Sequence, residues 1–481
     1  MSPSSFAYMG FLLAGVLLYH AVPQRGRKIV LLALSVLFYG INALRFVPLL
    51  LATIVFNFAL AQRLERAKRR RALLILGLTV DLGALGLFKY LGFFGELVNL
   101  AGGAFGLPAV TVWQLALPIG ISFYTFVLCG YLIDVYRGRP AERNPLDFAL
   151  FASFFPAILS GPIERSDHLL PQLRQLRRAK LEDVQFAAQR IIMGLAKKLL
   201  LADNFAILVN TAYADPMQSS GLQLAVAAAA YSLQIYCDFA AYSDMAVGSA
   251  RLFGISLIEN FRAPYLAQSS KEFWHRWHIS LSTWFRDYLY FPLGGSRRGK
   301  ERTYLNILIV FALSGLWHGA ALKFVLWGLL FGIFQVIGAV LLPYKKRLCA
   351  ALGLDWDAAA LRVLRTLICF VLSTVAWVFF RADTAGQAML ILTRIVTKAG
   401  VWDPMQLAAL GLSWEALVVL AICVLVLLTV DVVCERVPLR DKLLATVWPR
   451  YAVWVVVLAA VALFGAYGTG YNAQEFVYFQ F

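Results

Sequence analysis

The sequence predicts an all-α protein that crosses a membrane many times, and three observations lead there. The 481 residues are 60% hydrophobic and only 15% charged, with a mean hydropathy of +0.71. Soluble domains carry roughly 25% charged residues, so this chain lacks the polar surface to cover itself in water. Nearly charge-free runs recur at Leu49 to Leu60, Ile309 to Leu316, Phe324 to Leu342 and Ala416 to Val430, and a bilayer crossing takes about 20 such residues. Finally, the basic residues gather in short clusters between apolar stretches, while the short alternating segments of a membrane β-barrel are missing.

The formal net charge of +17 suggests nucleic acid until its placement is considered. Arg25, Arg27 and Lys28 form one cluster, Arg63 to Arg71 a second, Arg137, Arg139 and Arg143 a third, and Arg174 to Lys180 a fourth; Arg297 to Arg302 and Lys345 to Arg347 complete the set. Basic short loops mark cytoplasmic connections and meet membrane lipid phosphates, so no nucleic-acid partner is expected. Six cysteines stand singly with no CxxC pair, which argues against a disulfide framework or a zinc site.

Taken in order, Phe6 to Val22 reads as a retained first helix, since no basic residues precede it and no cleavage site is clear. Ile29 to Leu44 and Phe46 to Ala61 supply two crossings between basic clusters that must share a side. Phe148 to Pro162, short and interrupted by Pro156 and Gly161, suits a broken or re-entrant helix packed inside protein. Leu181 to Ala202 is amphipathic and is expected along the cytoplasmic interface. Tyr304 to Gly319 and Leu322 to Leu342 are another pair of crossings between basic clusters. Ala385 to Leu412 reads as loop-like, and helices follow at Trp414 to Val430 and Tyr451 to Tyr467, before the terminal FVYFQF. Ten to twelve membrane helices are expected, without the internal repeat of many transporters.

The chemistry-bearing residues concentrate in two places. Of five histidines, His20 and His168 lie in ordinary polar or interfacial settings, whereas His275, His278 and His318 lie in or beside apolar ones, where ionisable groups are costly and mark function. The stretch FWHRWHISLSTWFRDYLYFPLGG, Phe273 to Gly295, holds two of them within the span of a single helix, on which Trp274 and His278 share one face and Trp277 and Trp284 another. Glu272, His275 and His278 have metal-ligand spacing on such a helix, but no second ligand-rich segment supports a metal. His318 lies in LSGLWHGA between small residues that allow close approach. Counted from Tyr304 at ~1.5 Å per residue, it sits past the midplane, towards the outer side. Asp238 and Asp244 are candidates to pair with Arg276 and Arg286.

Several blocks resemble the membrane-bound O-acyltransferase family, most closely its bacterial alginate O-acetyltransferase branch. They are LPIGISFYTF (Leu117 to Phe126), YLIDVYRG (Tyr131 to Gly138), SGPIERSDHLLPQL (Ser160 to Leu173), YCDFAAYSDMAVG (Tyr236 to Gly248), ENFRAPY (Glu259 to Tyr265), the Phe273 to Gly295 stretch, GLWHGA (Gly315 to Ala320) and FVYFQF. Ala240 and Ala241 stand where the family usually has Ser-Gly.

The resemblance implies a single membrane domain over residues 1–481 with a core at about 117–345, its helices ringing an acyl tunnel. It places the family's catalytic histidine on His318 and the second on His278, and it points to Trp274, Trp277, Arg286, Asp287, Trp317 and Ser314 as substrate-binding. It implies a multi-pass protein of the bacterial inner membrane with no bound cofactor. Acetyl-CoA or another acetyl thioester is the cytoplasmic donor. The implied reaction is O-acetylation of an exported alginate-like or cellulose-like polysaccharide, with peptidoglycan O-acetylation and teichoic-acid D-alanylation as alternatives. Implied partners are a periplasmic acetyltransferase or subunits of a polysaccharide-synthesis complex. The rival from another class is a transporter or flippase of an acylated carrier, which forms no bond.

Overall fold

The computed structural model describes residues 1–113, 115–398, 400, 408–436, 446–467 and 476. Among these, every regular element is a helix, the form in which a chain in lipid pairs all of its backbone polar groups locally. Among the described residues, seven helical stretches are long and apolar enough to cross a bilayer, and four shorter apolar helices accompany them. The protein is a multi-pass membrane protein. Its residues form two compact units: 1–191 with 242–258, and 192–241 with the described residues from 259 onward.

The first unit opens with α1 (Phe6–Ala21), α2 (Gln24–Ala43), α3 (Val47–Arg66), α4 (Arg70–Ala104) and α5 (Ile121–Tyr136). Then come α6 (Pro145–Ser153), α7 (Phe155–Ile158), α8 (Ser166–Arg174) and α9 (Leu181–Ala196), whose last turn passes into the second unit. The expectation that the first two basic clusters share a side is met at one spot. Lys28, in the first turn of α2, pairs with Asp147 at 2.6 Å, and Glu65, in the last turn of α3, pairs with Arg143, four residues before Asp147. Both clusters are therefore tied to the start of α6. Nearby, Arg174 pairs with Glu142 at 2.6 Å and Arg139 with Asp167 at 2.8 Å.

The broken helix also appears. The chain leaves helical geometry at Phe154 (φ −53°, ψ 109°), and the Phe155 amide donates to the Ser35 hydroxyl of α2 at 3.2 Å, so the break leaves no amide orphaned there. Beyond it, the buried Glu164 carboxylate accepts from the Ile258 amide at 2.7 Å and from the His168 ring at 2.8 Å. That hydrogen bond holds the half-exposed His168 above the usual histidine range, against the opposing effect of burial.

The second unit takes in α10 (Asp203–Ala214), α11 (Gly221–Leu252, shared between the units), α12 (Ser270–Arg276), α13 (Ile279–Phe285), α14 (Lys300–His318) and α15 (Leu322–Ala351). It ends with α16 (Ala359–Arg381), α17 (Ala385–Thr397), α18 (Trp414–Arg436) and α19 (Val447–Phe464). Two expectations are corrected here. The region read as loop-like contains α17, a 13-residue helix with Ala388 and Ile391 buried. The amphipathic interface helix also does not continue to Ala202. A π-helical turn over Lys197–Ala202 widens the backbone and carries the Lys198 ammonium inward, 2.7 Å from Asp238 and 2.9 Å from Asp203, with all three side chains 3% exposed. Asp238 is thereby paired with Lys198. In the first unit, Asp244 pairs with Arg190 at 2.7 Å.

Helices α14 and α15 form a hairpin whose helices meet backbone to backbone. A methyl added at Gly315 would lie 2.2 Å from the Phe324 carbonyl oxygen, and one at Gly328 would lie 2.1 Å from that of Phe311. Only hydrogen fits at either position, the small-residue packing that membrane helices use. Three residues, Gly319 to Ala321, reverse the chain.

Two outcomes are expected. Gly328→Ala lowers thermal stability in detergent by about 1–3 kcal/mol, whereas Gly338→Ala, on the same helix with open space around it, does not lower it, alanine being the better helix former. For His168, whose folded-state pKa is raised, the stabilisation is full below the ordinary histidine value of ~6.5 and is lost as pH rises through the raised value. The melting-temperature difference between wild type and His168→Gln shrinks over that rise, and a pH-independent difference contradicts the assignment.

Candidate active site

The Phe273 to Gly295 stretch does not form the single helix expected of it. Helix α12 starts at the Ser269 cap, whose hydroxyl accepts from the Glu272 amide at 3.2 Å, and it stops at Arg276. Trp277 is extended (φ −108°, ψ 128°) and His278 is left-handed (φ 44°, ψ 54°), after which α13 begins. A π-helical turn, Arg286–Tyr290, follows α13. The break is held from outside. Asn260 accepts the Ile279 amide on its backbone carbonyl at 2.9 Å. Its side-chain oxygen takes the Ser280 hydroxyl at 2.6 Å and the Ser280 amide at 3.2 Å. These bonds satisfy amides that an interrupted helix leaves open.

The break decides which side chains meet. His278, fully buried, does not share a helical face with Trp274, and Glu272, His275 and His278 do not lie on one helix, His275 being exposed. The His278 ring stands edge-on to Phe239 of α11, with centroids 4.7 Å apart. It lies 6.2 Å from Trp317 and 6.4 Å from His318. His318, the last residue of α14 and 4% exposed, is enclosed by Trp317 at 4.8 Å, Trp327 at 4.9 Å and Phe380 at 5.6 Å. Two imidazoles 40 residues apart in sequence are thus brought together inside one aromatic chamber, wholly within the second unit.

The remaining candidates fall into two groups. Trp274, Trp277, Trp317 and Ser314 are buried. Trp317 touches both histidines, Ser314 lies one turn before His318, and Trp277 stacks on Phe273 at 5.4 Å behind Trp377. Trp274 reaches the chamber through Trp327, 5.9 Å away. Arg286 and Asp287 pair with each other at 2.8 Å on the π-helical turn, where Arg286 is 48% exposed. Arg276 pairs with Glu272 at 3.0 Å and Glu435 at 2.9 Å.

Three contributors escaped the sequence reading. Trp327 and Phe380 sit in apolar runs that look lipid-facing, and Phe239 hides in the middle of a polar-dotted helix. The signal available was weak: Trp327 lies nine residues after His318, the separation that a tight hairpin folds back against it.

A buried pair of imidazoles with small-residue access on one helix is a constellation suited to proton transfer and acyl chemistry. Residues 132–346 match the family model described as MBOAT, membrane-bound O-acyltransferase family, a range that includes both histidines. The chain is similar to the probable alginate O-acetylase AlgI of Pseudomonas syringae pv. tomato, 39% identical over 77% of this chain and 70% of that one. It is also similar to the protein of the same name from Pseudomonas aeruginosa, 37% identical over 85% and 77% of the two chains. The peptidoglycan O-acetyltransferase of Helicobacter pylori is 34% identical over 82% and 79%. The chain belongs to the membrane-bound O-acyltransferase family and is an O-acyltransferase. Of the terminal FVYFQF block, only Phe476 is among the described residues.

Because φ at position 278 is positive, His278→Gly is expected to be more stable than His278→Ala by about 1 kcal/mol, the reverse of the order inside a helix. Equal or inverted melting temperatures would mean that the left-handed turn is not what holds this break.

Proposed function

We propose that this protein takes acetyl groups from a cytoplasmic thioester such as acetyl-CoA and passes them outward across the bacterial inner membrane for O-acetylation of an exported polysaccharide, alginate-like or cellulose-like. The observation that carries the reading is the meeting of His278 and His318, 6.4 Å apart between ring centroids, in a chain of this family. Identity to alginate O-acetylases over most of the chain supports the polysaccharide class. The similarity to a peptidoglycan O-acetyltransferase favours peptidoglycan as the second reading. Outward delivery is supported by α14, which starts beside the basic residues 297–302 and ends at His318 after 19 residues, about 28 Å at 1.5 Å per residue.

In this reading, the His318 imidazole takes the proton of an acceptor hydroxyl while its oxygen attacks the thioester carbonyl. The tetrahedral adduct collapses, the C–S bond breaks, and the thiolate leaves with the proton returned by the imidazolium. The products are an ester and a free thiol. His278 steadies the charge developing beside it. The acceptor hydroxyl belongs to the polysaccharide or to a periplasmic acetyltransferase that relays the group. Arg286 and Asp287, paired on the turn that follows α13, serve the approach of the donor.

With purified protein and radiolabelled acetyl-CoA, His318→Ala is expected to lower transfer 10²–10⁴-fold or more, the usual range for a lost general base. Undiminished transfer by the variant removes the assignment, and thioester-independent movement of an acylated carrier revives the transporter reading.

A further inference from the structure

Two of the indoles in the chamber have nothing to donate to. Trp327 is fully buried and meets the His318 ring edge-on, 4.9 Å between centroids and 88° between planes. Trp274, 8% exposed, stands beside it at 5.9 Å. The Nε1 atom of each is sealed from solvent and has no hydrogen-bond acceptor among the described residues. Their surroundings explain why: Phe311 and Phe331 pack on Trp274, and Phe331, Phe380 and Trp377 on Trp327, so only ring faces and edges are on offer. The buried Trp377 Nε1, in the same cluster, is likewise without an acceptor in hydrogen-bond geometry among the described residues. What sets Trp327 and Trp274 apart is their place: Trp327 meets the His318 ring and Trp274 stands directly behind it. A buried donor left unmade is a feature that a protein retains at a cost, and it calls for a partner that arrives later.

We propose that the Trp327 indole N–H, with Trp274 as a second donor behind it, forms a subsite for a carbonyl oxygen, that of the acyl thioester undergoing transfer at His318. The inference rests on the acyl-transfer reading and adds a catalytic residue to it. When the acceptor oxygen attacks, the carbonyl π-bond opens and its electron pair moves onto this oxygen, which becomes an alkoxide while the C–S bond is still intact. A fixed N–H donor binds the alkoxide more strongly than the starting carbonyl, most of all where water is excluded, and that difference lowers the barrier. The indole keeps its proton throughout. As the carbonyl re-forms, the C–S bond breaks and the thiolate takes its proton from the imidazolium. An uncharged donor suits the place, because it needs no counter-charge before the donor substrate arrives.

The test replaces Trp327 with 3-benzothienylalanine, in which sulfur stands where the N–H was and the ring shape is kept; Trp327→Phe is the natural-residue companion. For the isostere enzyme, kcat is expected to fall roughly 10²–10³-fold, with KM for the thioester little changed and the melting temperature of the substrate-free enzyme not lowered, since no hydrogen bond is lost there. A wild-type kcat in the isostere enzyme overturns the subsite, whatever KM does. The two failures are separable. Full activity in His318→Ala brings down the functional reading, whereas an inactive His318→Ala beside a fully active isostere brings down only the role of the indole.

Discussion

The chamber depends on a backbone contact that permits no side chain. Gly315 and Gly328 let α14 and α15 approach until the carbonyls of Phe324 and Phe311 occupy the space where methyl groups would otherwise stand. That closeness makes the reversal at Gly319 to Ala321 possible. The reversal in turn ends α14 at His318 and brings Trp327 back against its ring. Lipid tails provide no hydrophobic drive between helices, so close packing of this kind supplies the association. A wider hairpin would separate the imidazole from the indole and open the chamber to the bilayer.

The second constraint acts on the opposite wall. An unbroken helix through residues 270–285 would turn His278 onto a face set by 100° steps, with no reason to meet His318. The left-handed residue at 278 redirects the side chain, and Asn260 stabilises the redirection by taking both the Ile279 and Ser280 amides. Strained backbone persists where its surroundings over-determine it, commonly at functional sites. Behind it, Phe239 meets the His278 ring, and its neighbour Asp238 is fixed to the buried Lys198 ammonium. An ion pair with a π-helical turn thus braces the helix that backs the histidine.

Much of this architecture was readable from residues in order. Charge-free runs between basic clusters announced helices and their pairing, because bilayer thickness and the cost of buried charge leave few alternatives. The break in Phe148 to Pro162 was readable from Pro156 and Gly161, residues whose backbone limits are local. Intramembrane histidines at 278 and 318 were visible for the same reason of cost. The interruption at His278 was not readable, since nothing local forbids a helix through RWHISLS and the residue that competes for its amides sits 18 positions earlier. The inward turn of Lys198 was not readable, because the amphipathic pattern of Leu181 to Ala202 assumes one helical period and a π-helical turn shifts the register. Trp327 was hidden among apolar neighbours, as any aromatic in a membrane run is.

The chain by itself determined that this is a multi-pass helical protein of the O-acyltransferase family with two histidines set apart in its apolar stretches, because hydropathy, charge placement and ordered motifs are properties of residues and their neighbours. Only the tertiary structure decided that those histidines share an aromatic chamber and that Trp327 and Trp274 belong to it. Such matters turn on which distant backbones touch, and proximity across 40 or more residues is set by packing and competing hydrogen bonds that no local pattern encodes.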